Sequence, residues 1–416
     1  NNLRSPDIIS VEEIQDNNGA TSNGVVDAST TYQTLINAIA AAGGPTYQYR
    51  QIDPVNNQDG GEPGGNIRVG FLFNPDRVQF VDRPGGGSTT DTTVNNVGGV
   101  PQLSASPGRI LDTDPSNGDA FVTSRKPLVG EFIFNGQTVF VVGNHFNSKG
   151  GDQPLFGPTQ PPVLSSEVQR NRQATEVRDF VQSILTINPN ANVVVAGDLN
   201  DFEFSNPLSI LEAGGLNTLI ETLPANERYT YNFEGNAQTL DQILVSNNLF
   251  SKLDGFDAVH INSEFAVQDS DHDPVLARFD LINVINGTSG RDTLTGTAFG
   301  DRITGGLGGD ILTGGAGNDE FVYTSITDSG DRITDFTPGS DKIVLTQLLD
   351  SLVAGGYNGS NAIADGYVQL IQGSTANSTT LQIDQDGPLG SGIFRPFIQL
   401  DNVSVVALNN VNNFVF

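Results

Sequence analysis

The sequence predicts a layered α/β domain followed by an all-β parallel roll. Three observations predict it. Short apolar runs alternate with helical stretches over the first two thirds of the chain. A nine-residue period begins at Gly287. Glycine, 48 of 416 residues, is densest where that period runs. A chain of this length is expected to split into domains, here 1–282 and 283–416.

The first domain contributes four strand signals and one long helix. Asp7-Ile8-Ile9-Ser10-Val11, Val69–Phe73, Thr138–Val142 and Asn192–Ala196 are apolar runs bounded by polar residues or glycine, which read as buried strands. Glu167–Leu185 reads as an amphipathic helix. Val168, Val177, Val181, Ile184 and Leu185 fall largely on one face, with Arg170, Arg172, Glu176 and Arg178 elsewhere.

The second domain opens with four units: GTSGRDTLT (287–295), GTAFGDRIT (296–304), GGLGGDILT (305–313) and GGAGNDEFV (314–322). Asp292, Asp301, Asp310 and Asp319 recur in register, and Leu294, Ile303, Leu312 and Phe321 follow two positions later. A flexible glycine linker would not keep both in register four times. A parallel β-roll explains the pattern: glycines turn the chain, the apolar residue points inward, and stacked carboxylates and turn carbonyls offer oxygen ligands to Ca²⁺.

Composition excludes several classes. The chain has no Cys, so it has no disulfide, thiolate nucleophile or Cys-ligated metal. It has 48 Asp+Glu against 20 Lys+Arg, a net charge of -28, which excludes stable metal-free coating of DNA. No apolar run approaches the ~20 residues of a membrane-spanning helix. There is no Met, initiator included, and no visible signal peptide; the expectation is a sequence that starts inside a longer or processed chain.

Candidate chemistry gathers at strand ends. His145 closes a predicted strand in Gly143-Asn144-His145-Phe146-Asn147-Ser148-Lys149-Gly150. His272 lies between carboxylates in Ser270-Asp271-His272-Asp273-Pro274, an arrangement that raises a histidine's basicity and fixes its tautomer. Asp198 and Asn200, in Gly197-Asp198-Leu199-Asn200-Asp201, follow the run Asn192–Ala196 and sit two apart. Asp241 starts another strand, and Glu12–Glu13 follow Ile8–Val11. His260, in an alternating stretch that reads as a strand, is expected to be structural or peripheral. Each signal alone has a plainer reading: Gly-Asp as an Asx-turn, a lone strand-end His as a surface residue, paired Glu as a solvated helix start. Their order along the chain gives them weight: Glu, Arg, His, Asp-x-Asn, Asp, Asp-His.

With PDIISVEEIQD, VGFLFNPDRV, FVTSRKPLV, GNHFNSKGGD, VVVAGDLNDF, LDQILVS and SDHDPV, residues 1–282 resemble the endonuclease/exonuclease/phosphatase superfamily, most closely its secreted bacterial nucleases. The resemblance implies a four-layered α/β sandwich of two packed sheets flanked by helices. It implies Glu13 and Asp271 as ligands of a catalytic Mg²⁺ or Mn²⁺, and Arg125, with Lys149, as phosphate contacts. His145 would bond the scissile phosphate or act as acid, and Asp198 and Asn200 would position water and phosphate. Asp241 would pair with His272, which would act as base or stabilise the phosphate. The family opens on a strand carrying an Asn, which Asn1 and Asn2 do not match, so that strand is expected to be missing. A further family Glu that orients the first His would fall near Asn66–Ile67 and is absent. Residues 287–322 resemble haemolysin-type (RTX) calcium-binding repeats, and Asp331–Phe336 with Gly339–Ile343 resemble their C-terminal cap.

The expected protein is a secreted, monomeric, metal-dependent nuclease with nucleic acid as substrate, no membrane span and Ca²⁺ in its roll. Divalent ions and local Arg and Lys would offset the field near the site of a first domain with 34 acidic against 15 basic residues, a net charge of -19. Two alternatives stand beside it. One is the same fold acting on phospholipid or phosphomonoesters, expected to show exposed aromatic-tipped hairpins, of which the sequence shows no cluster. The other is a non-catalytic Ca²⁺-dependent surface protein. A protease with such repeats lacks support, since no His-Glu-x-x-His occurs.

Overall fold

The structure, a computed structural model, describes residues 2–114, 116, 118–154, 157–375, 377–390 and 392–416; Asn1 lies outside the described residues. The chain divides into two compact units, Asn1–Asp280 and Leu281–Phe416.

Four layers build the first unit. The strands Ile8–Ile14, Arg68–Phe73 and Gln48–Gln51 form one antiparallel sheet, with Arg68–Phe73 in the middle. The second sheet runs in the order Leu216–Thr218, Asp241–Ser246, Asn192–Asp198, Gln137–His145, Leu128–Phe134, Gln79–Phe80, with Gly108–Arg109 also paired to Leu128–Phe134. Between the sheets lies an aromatic cluster: Phe132 makes edge contacts to Phe71, Phe73 and Phe80 at 4.9–5.9 Å between ring centroids. Each outer face is covered by helix. Ser29–Ala41 buries Tyr32 and Ile36 against Leu72 and Ile9. Glu167–Ile187 buries Ala174, Val177, Val181 and Ile184 against Phe140, Val142, Val193 and Val195. Val193 and Val195, fully buried on one face, and their neighbours form strand rather than helix because β-branched residues pack well on a pleated surface.

Two details of the expected helix are corrected. Val168 is 55 % exposed, and Arg170 is fully buried. The true buried stripe runs Arg170, Gln173, Ala174, Val177, Phe180, Val181, Ile184. Its first turn faces polar loops rather than the apolar sheet, so the buried side chains there are polar. His260 is likewise not in a strand: Leu253–Ala258 ends before it, and its ring stacks on Tyr229 at 3.9 Å.

In the second unit two ladders of parallel strands face each other. One holds Asn283–Asn286, Asp301–Thr304, Glu320–Val322, Lys342–Val344 and Phe414–Val415. The other holds Thr293–Thr295, Ile311–Thr313, Asp331–Ile333 and Arg395–Leu400. One nine-residue unit therefore makes half a coil, and two units make a full one. Ile303, Leu312, Phe321, Ile333 and Ile343 are fully buried between the ladders. The cap adds the antiparallel strands Thr379–Ile383 and Val368–Gln372 and the helix Thr346–Leu352. It is thus mixed rather than purely β: Leu348 and Leu349 of that helix close the apolar end.

Candidate functional site

Three neighbouring strands of the seven-stranded sheet bring His145, Asp198 and Asp241 into one row. Asp198 is the direct register partner of His145 on one side and of Asp241 on the other. Directly paired residues project from the same face of a sheet, so the three side chains converge. His145 Nε2 lies 3.5 Å from Asp198 Oδ2. His272 joins them from a loop held by an isolated bridge to Tyr231, with Nδ1 2.7 Å from Asp241 Oδ2. Ligand atoms of Asp198, Asp241 and His272 all lie within 4.8 Å of one another.

The turn after Asp198 is built by two backbone features. Gly197 has φ +128, and a Cβ there would lie 2.0 Å from the Asn144 carbonyl oxygen; only glycine allows the strands this close. Asn200 sits at φ +52. Its backbone N–H donates to Asp198 Oδ1 at 2.8 Å and its Nδ2 to Asp198 Oδ2 at 2.9 Å. The Asx-turn reading and the site reading therefore describe the same residues.

The second sheet contributes Glu12 and Glu13 across a bulge, where the pairing with Arg68–Phe73 slips between Val11 and Ile14 and Glu13 takes φ +59. The two carboxylates diverge. Glu12, half-buried and bonded by Ser10 Oγ at 2.8 Å, is raised to about 8 by burial and by the charges of Asp241 and Asp198. Glu13 Oε1 stands 3.9 Å from His145 Nε2, its side chain 70 % exposed. Sequence reasoning passed over Glu12; the alternation Ser10-x-Glu12 on one strand face was its available signal.

Electrostatics separate the two histidines. Burial, with the positive charges of Arg125 and His272, holds His145 well below 6.5; its Nδ1 is buried without a hydrogen-bond partner. Burial also opposes charge on His272, but the Asp241 hydrogen bond and the charges of Asp241, Asp198 and Asp271 outweigh it and raise the ring to about 9. Asp198 is pushed up by burial and by Asp241. Acidic side chains with raised pKa values at one place favour a cation, so the donor set fits a divalent metal.

Among the other expected residues, Arg125 is buried beside the charges of Asp198 and Glu13. Its Nη2 donates to the Phe146 carbonyl at 2.6 Å and its Nε has no partner, leaving a donor for an anion. Asp271 is exposed at the rim. Lys149 is committed elsewhere: its Nζ donates to Asp201 at 3.0 Å and to the Asn200 carbonyl at 3.3 Å, and lies 4.1 Å from the Phe202 ring centroid. It braces the Asn200 turn. Arg170 bonds Asp201 Oδ2 at 2.7 Å from the buried side. Gln173 ties Asn147 N and Ser124 Oγ to the same helix. Contrary to the sequence expectation, an aromatic hairpin borders the site. Tyr231–Phe233 pairs with Asn236–Gln238, Tyr231 lies 4.7 Å from the His272 ring, and Phe233 is 52 % exposed.

The repeat aspartates form two ladders. Asp310 Oδ1 accepts Asp292 N at 2.8 Å, and Asp331 Oδ1 accepts Asp310 N at 2.9 Å. On the other side Asp319 accepts from Asp301 N, and Asp341 from Asp319 N. Backbone amides thus offset part of the repulsion expected between stacked carboxylates. In the first two units the other oxygen is also used: Asp292 Oδ2 accepts Thr288 N and Oγ1, and Asp301 Oδ2 accepts Thr297 N and Oγ1.

Fold and site together define an α/β unit with an acid–histidine cluster, followed by a parallel β-roll. Residues 110–270 match the model of the Endonuclease/Exonuclease/phosphatase family, and residues 230–394 match the Peptidase M10 serralysin C terminal model. The chain therefore combines an endonuclease/exonuclease/phosphatase-family domain with a serralysin-type C-terminal domain. Similar solved structures include D. rerio TDP2 complexed with single strand DNA product (16% identity, 67% of this chain and 87% of that one, TM-score 0.39). They also include the human Nocturnin catalytic domain (14%, 66% and 82%, 0.38) and an endonuclease/exonuclease/phosphatase from Bacteroides vulgatus (14%, 66% and 85%, 0.38). No curated protein matches the chain.

Proposed function

We propose that the first unit is a divalent-metal-dependent phosphodiesterase that hydrolyses nucleic acid. The observation that carries this is the register row His145–Asp198–Asp241, closed by His272. Glu13 and Asp271 would hold Mg²⁺ or Mn²⁺, with Glu12 as an additional carboxylate. When bound, such an ion polarises the phosphoryl group and lowers the pKa of water. Arg125 binds a phosphate oxygen through its unpartnered Nε. Neutral His145 donates or accepts one hydrogen bond at the phosphate. Asp198 orients the attacking water, and Asn200 fixes Asp198 in place. Asp241 sets the His272 tautomer, so that Nε2 handles the proton. In the roll, Asp292, Asp301, Asp310 and Asp319 would contribute to Ca²⁺ binding. The serralysin-type domain supports a secreted protein, and a monomer is the proposed state.

The test is cleavage of plasmid DNA and of RNA with and without Mg²⁺ or Mn²⁺, by the chain and by H272A. Cleavage that needs the metal and is lost in H272A supports the reading; metal-independent cleavage or an unaffected variant overturns it. The exposed Phe233 beside His272 favours one second reading, a lipid phosphodiester as substrate. Comparing rates on DNA and on phospholipid vesicles decides between them.

A further inference from the structure

The His272–Asp241 pair is assembled from residues thirty-one positions apart, and one buried residue, Thr230, is bonded into both sides of it. Thr230 precedes the strand Tyr231–Phe233, whose pairing with Asn236–Gln238 folds the chain back on itself. Its backbone N–H donates to the Gln238 carbonyl at 2.8 Å. The hairpin thereby returns Leu240 and Asp241 to Thr230, whose Oγ1 accepts from both of their backbone N–H groups at 3.1 Å. A hydroxyl oxygen has two acceptor positions, and here both are filled.

The other side of Thr230 reaches the histidine. Its carbonyl accepts from Asp273 N at 2.7 Å, and the next residue, Tyr231, forms the bridge to His272. The side chain of one residue thus fixes the backbone of the acid, while its carbonyl fixes the residue after the base. Asp273, 1 % exposed, extends the restraint. Its Oδ1 accepts from Ile261 N, Asn262 N and Ser263 N at 2.7–3.0 Å. Asn262 Nδ2 then donates back to the His272 carbonyl at 2.7 Å.

A plainer account makes Thr230 a β-branched residue that packs at a strand start. Packing uses the two branches alike, whereas here the hydroxyl has two specific partners. A hydrogen bond of 2.7 Å between His272 and Asp241 tolerates little drift, and a misplacement of about 1 Å costs ~10²-fold in turnover. We propose that Thr230 is a positioning residue for the His272–Asp241 pair, setting the separation of base and acid through its Oγ1 and its carbonyl. Fully buried, it acts through the pair rather than on substrate. What the pair does rests on the proposed phosphodiesterase chemistry; what holds the pair rests on these bonds alone.

Two close variants separate the hydroxyl from the methyl. Thr230→Val keeps the shape and orphans the Leu240 and Asp241 amides; Thr230→Ser keeps the acceptor and loses the methyl. On plasmid DNA with Mg²⁺, kcat is expected to fall by about 10–10²-fold in T230V, with KM little changed, and T230S to recover most of it. In a D241N background T230V is expected to add little, because residues acting through one bond are not additive. A second readout needs neither metal nor substrate. The chain has 3 His, so the NMR signal of the hydrogen-bonded Nδ1 proton of His272 is assigned by its absence in H272A. It is expected to persist in T230S and to broaden or vanish in T230V. Circular dichroism checks the fold, and T230A replaces T230V if the added methyl prevents folding. An unchanged Nδ1 signal in the folded variant, or a loss fully additive with D241N, overturns the positioning role. A parent chain that cleaves no nucleic acid while T230V still loses the signal overturns the catalytic reading alone.

Discussion

Asp241 Oδ2 lies 2.7 Å from Nδ1 of His272, which leaves Nε2 as the ring nitrogen for proton transfer. The same residue is the register partner of Asp198, so one aspartate orients the histidine and, by its charge, helps burial push its neighbour's carboxyl up.

His272→Ala removes the proton-handling group and is expected to lower kcat on plasmid DNA by about 10²–10⁴-fold, the usual worth of a positioned acid or base. Asp241→Asn keeps the ring but weakens the hold on its tautomer, so the loss in kcat is expected to be smaller, with KM little changed. Steady-state kinetics at saturating Mg²⁺ check both. Equal losses in the two variants would mean that Asp241 does more than orient the ring.

Gly197→Ala tests the strand turn. The new Cβ would meet the Asn144 carbonyl oxygen at 2.0 Å, from a backbone at φ +128. Relief requires the strand to move, and Asp198 and His145 move with it, since they are register partners. Overpacking of this kind costs about 1–3 kcal/mol. Turnover is expected to fall far more than the melting temperature, because a small misplacement of reacting groups costs ~10²-fold. A variant with wild-type turnover contradicts this placement of Asp198.

Much of this was legible in the sequence, for local reasons. The strands ending at His145 and Asp198 are apolar runs stopped by glycine or polar residues, and the roll announces itself by a fixed period. What was not legible depends on pairing across the fold. That Asp198 and Asp241 are neighbours follows from antiparallel register, which no local window contains. A bulge exchanges the directions of Glu12 and Glu13, and strand alternation alone cannot foresee it. Arg170 and Lys149 looked like free cations until Asp201, thirty-one residues past the helix position of Arg170, proved to hold both. The Asp331 partnership escaped because the period lengthens there.

The Arg170–Asp201 pair should be structural with a catalytic consequence. Both side chains are almost fully buried, and Asp201 carries Lys149 on its other oxygen. Breaking one partner of a buried pair typically costs about 3–5 kcal/mol. Arg170→Met is therefore expected to lower the urea midpoint sharply and to reduce kcat, because the Asn200 turn loses its anchor. Arg170→Lys should recover part of the stability and less of the turnover, since an ammonium cannot reproduce the bonds to Asp201, Ser166 and the Asn147 carbonyl together. Chemical denaturation and kinetics on the same preparations check this.

Glu176 supplies a pH dependence outside the acid–histidine cluster. On the helix Glu167–Ile187 it is raised to about 7, by burial and then by the charges of Asp112, Asp179 and Asp91. An unfolded Glu ionises near 4.5. As pH rises from 4.5 to 7 the unfolded chain releases this proton first, so the native state loses stability through that window and carries the full cost above it. The group is only partly buried, so screening by solvent keeps the cost below about 1 kcal/mol. Glu176→Gln is expected to leave the melting temperature unchanged at pH 4 and to raise it by about 2–4 °C at most at pH 8. High salt should shrink that gain, since the Debye length falls to about 3 Å at 1 M. Differential scanning calorimetry at the two pH values and two salt concentrations checks it; an equal shift at pH 4 would show that the cause is packing rather than charge.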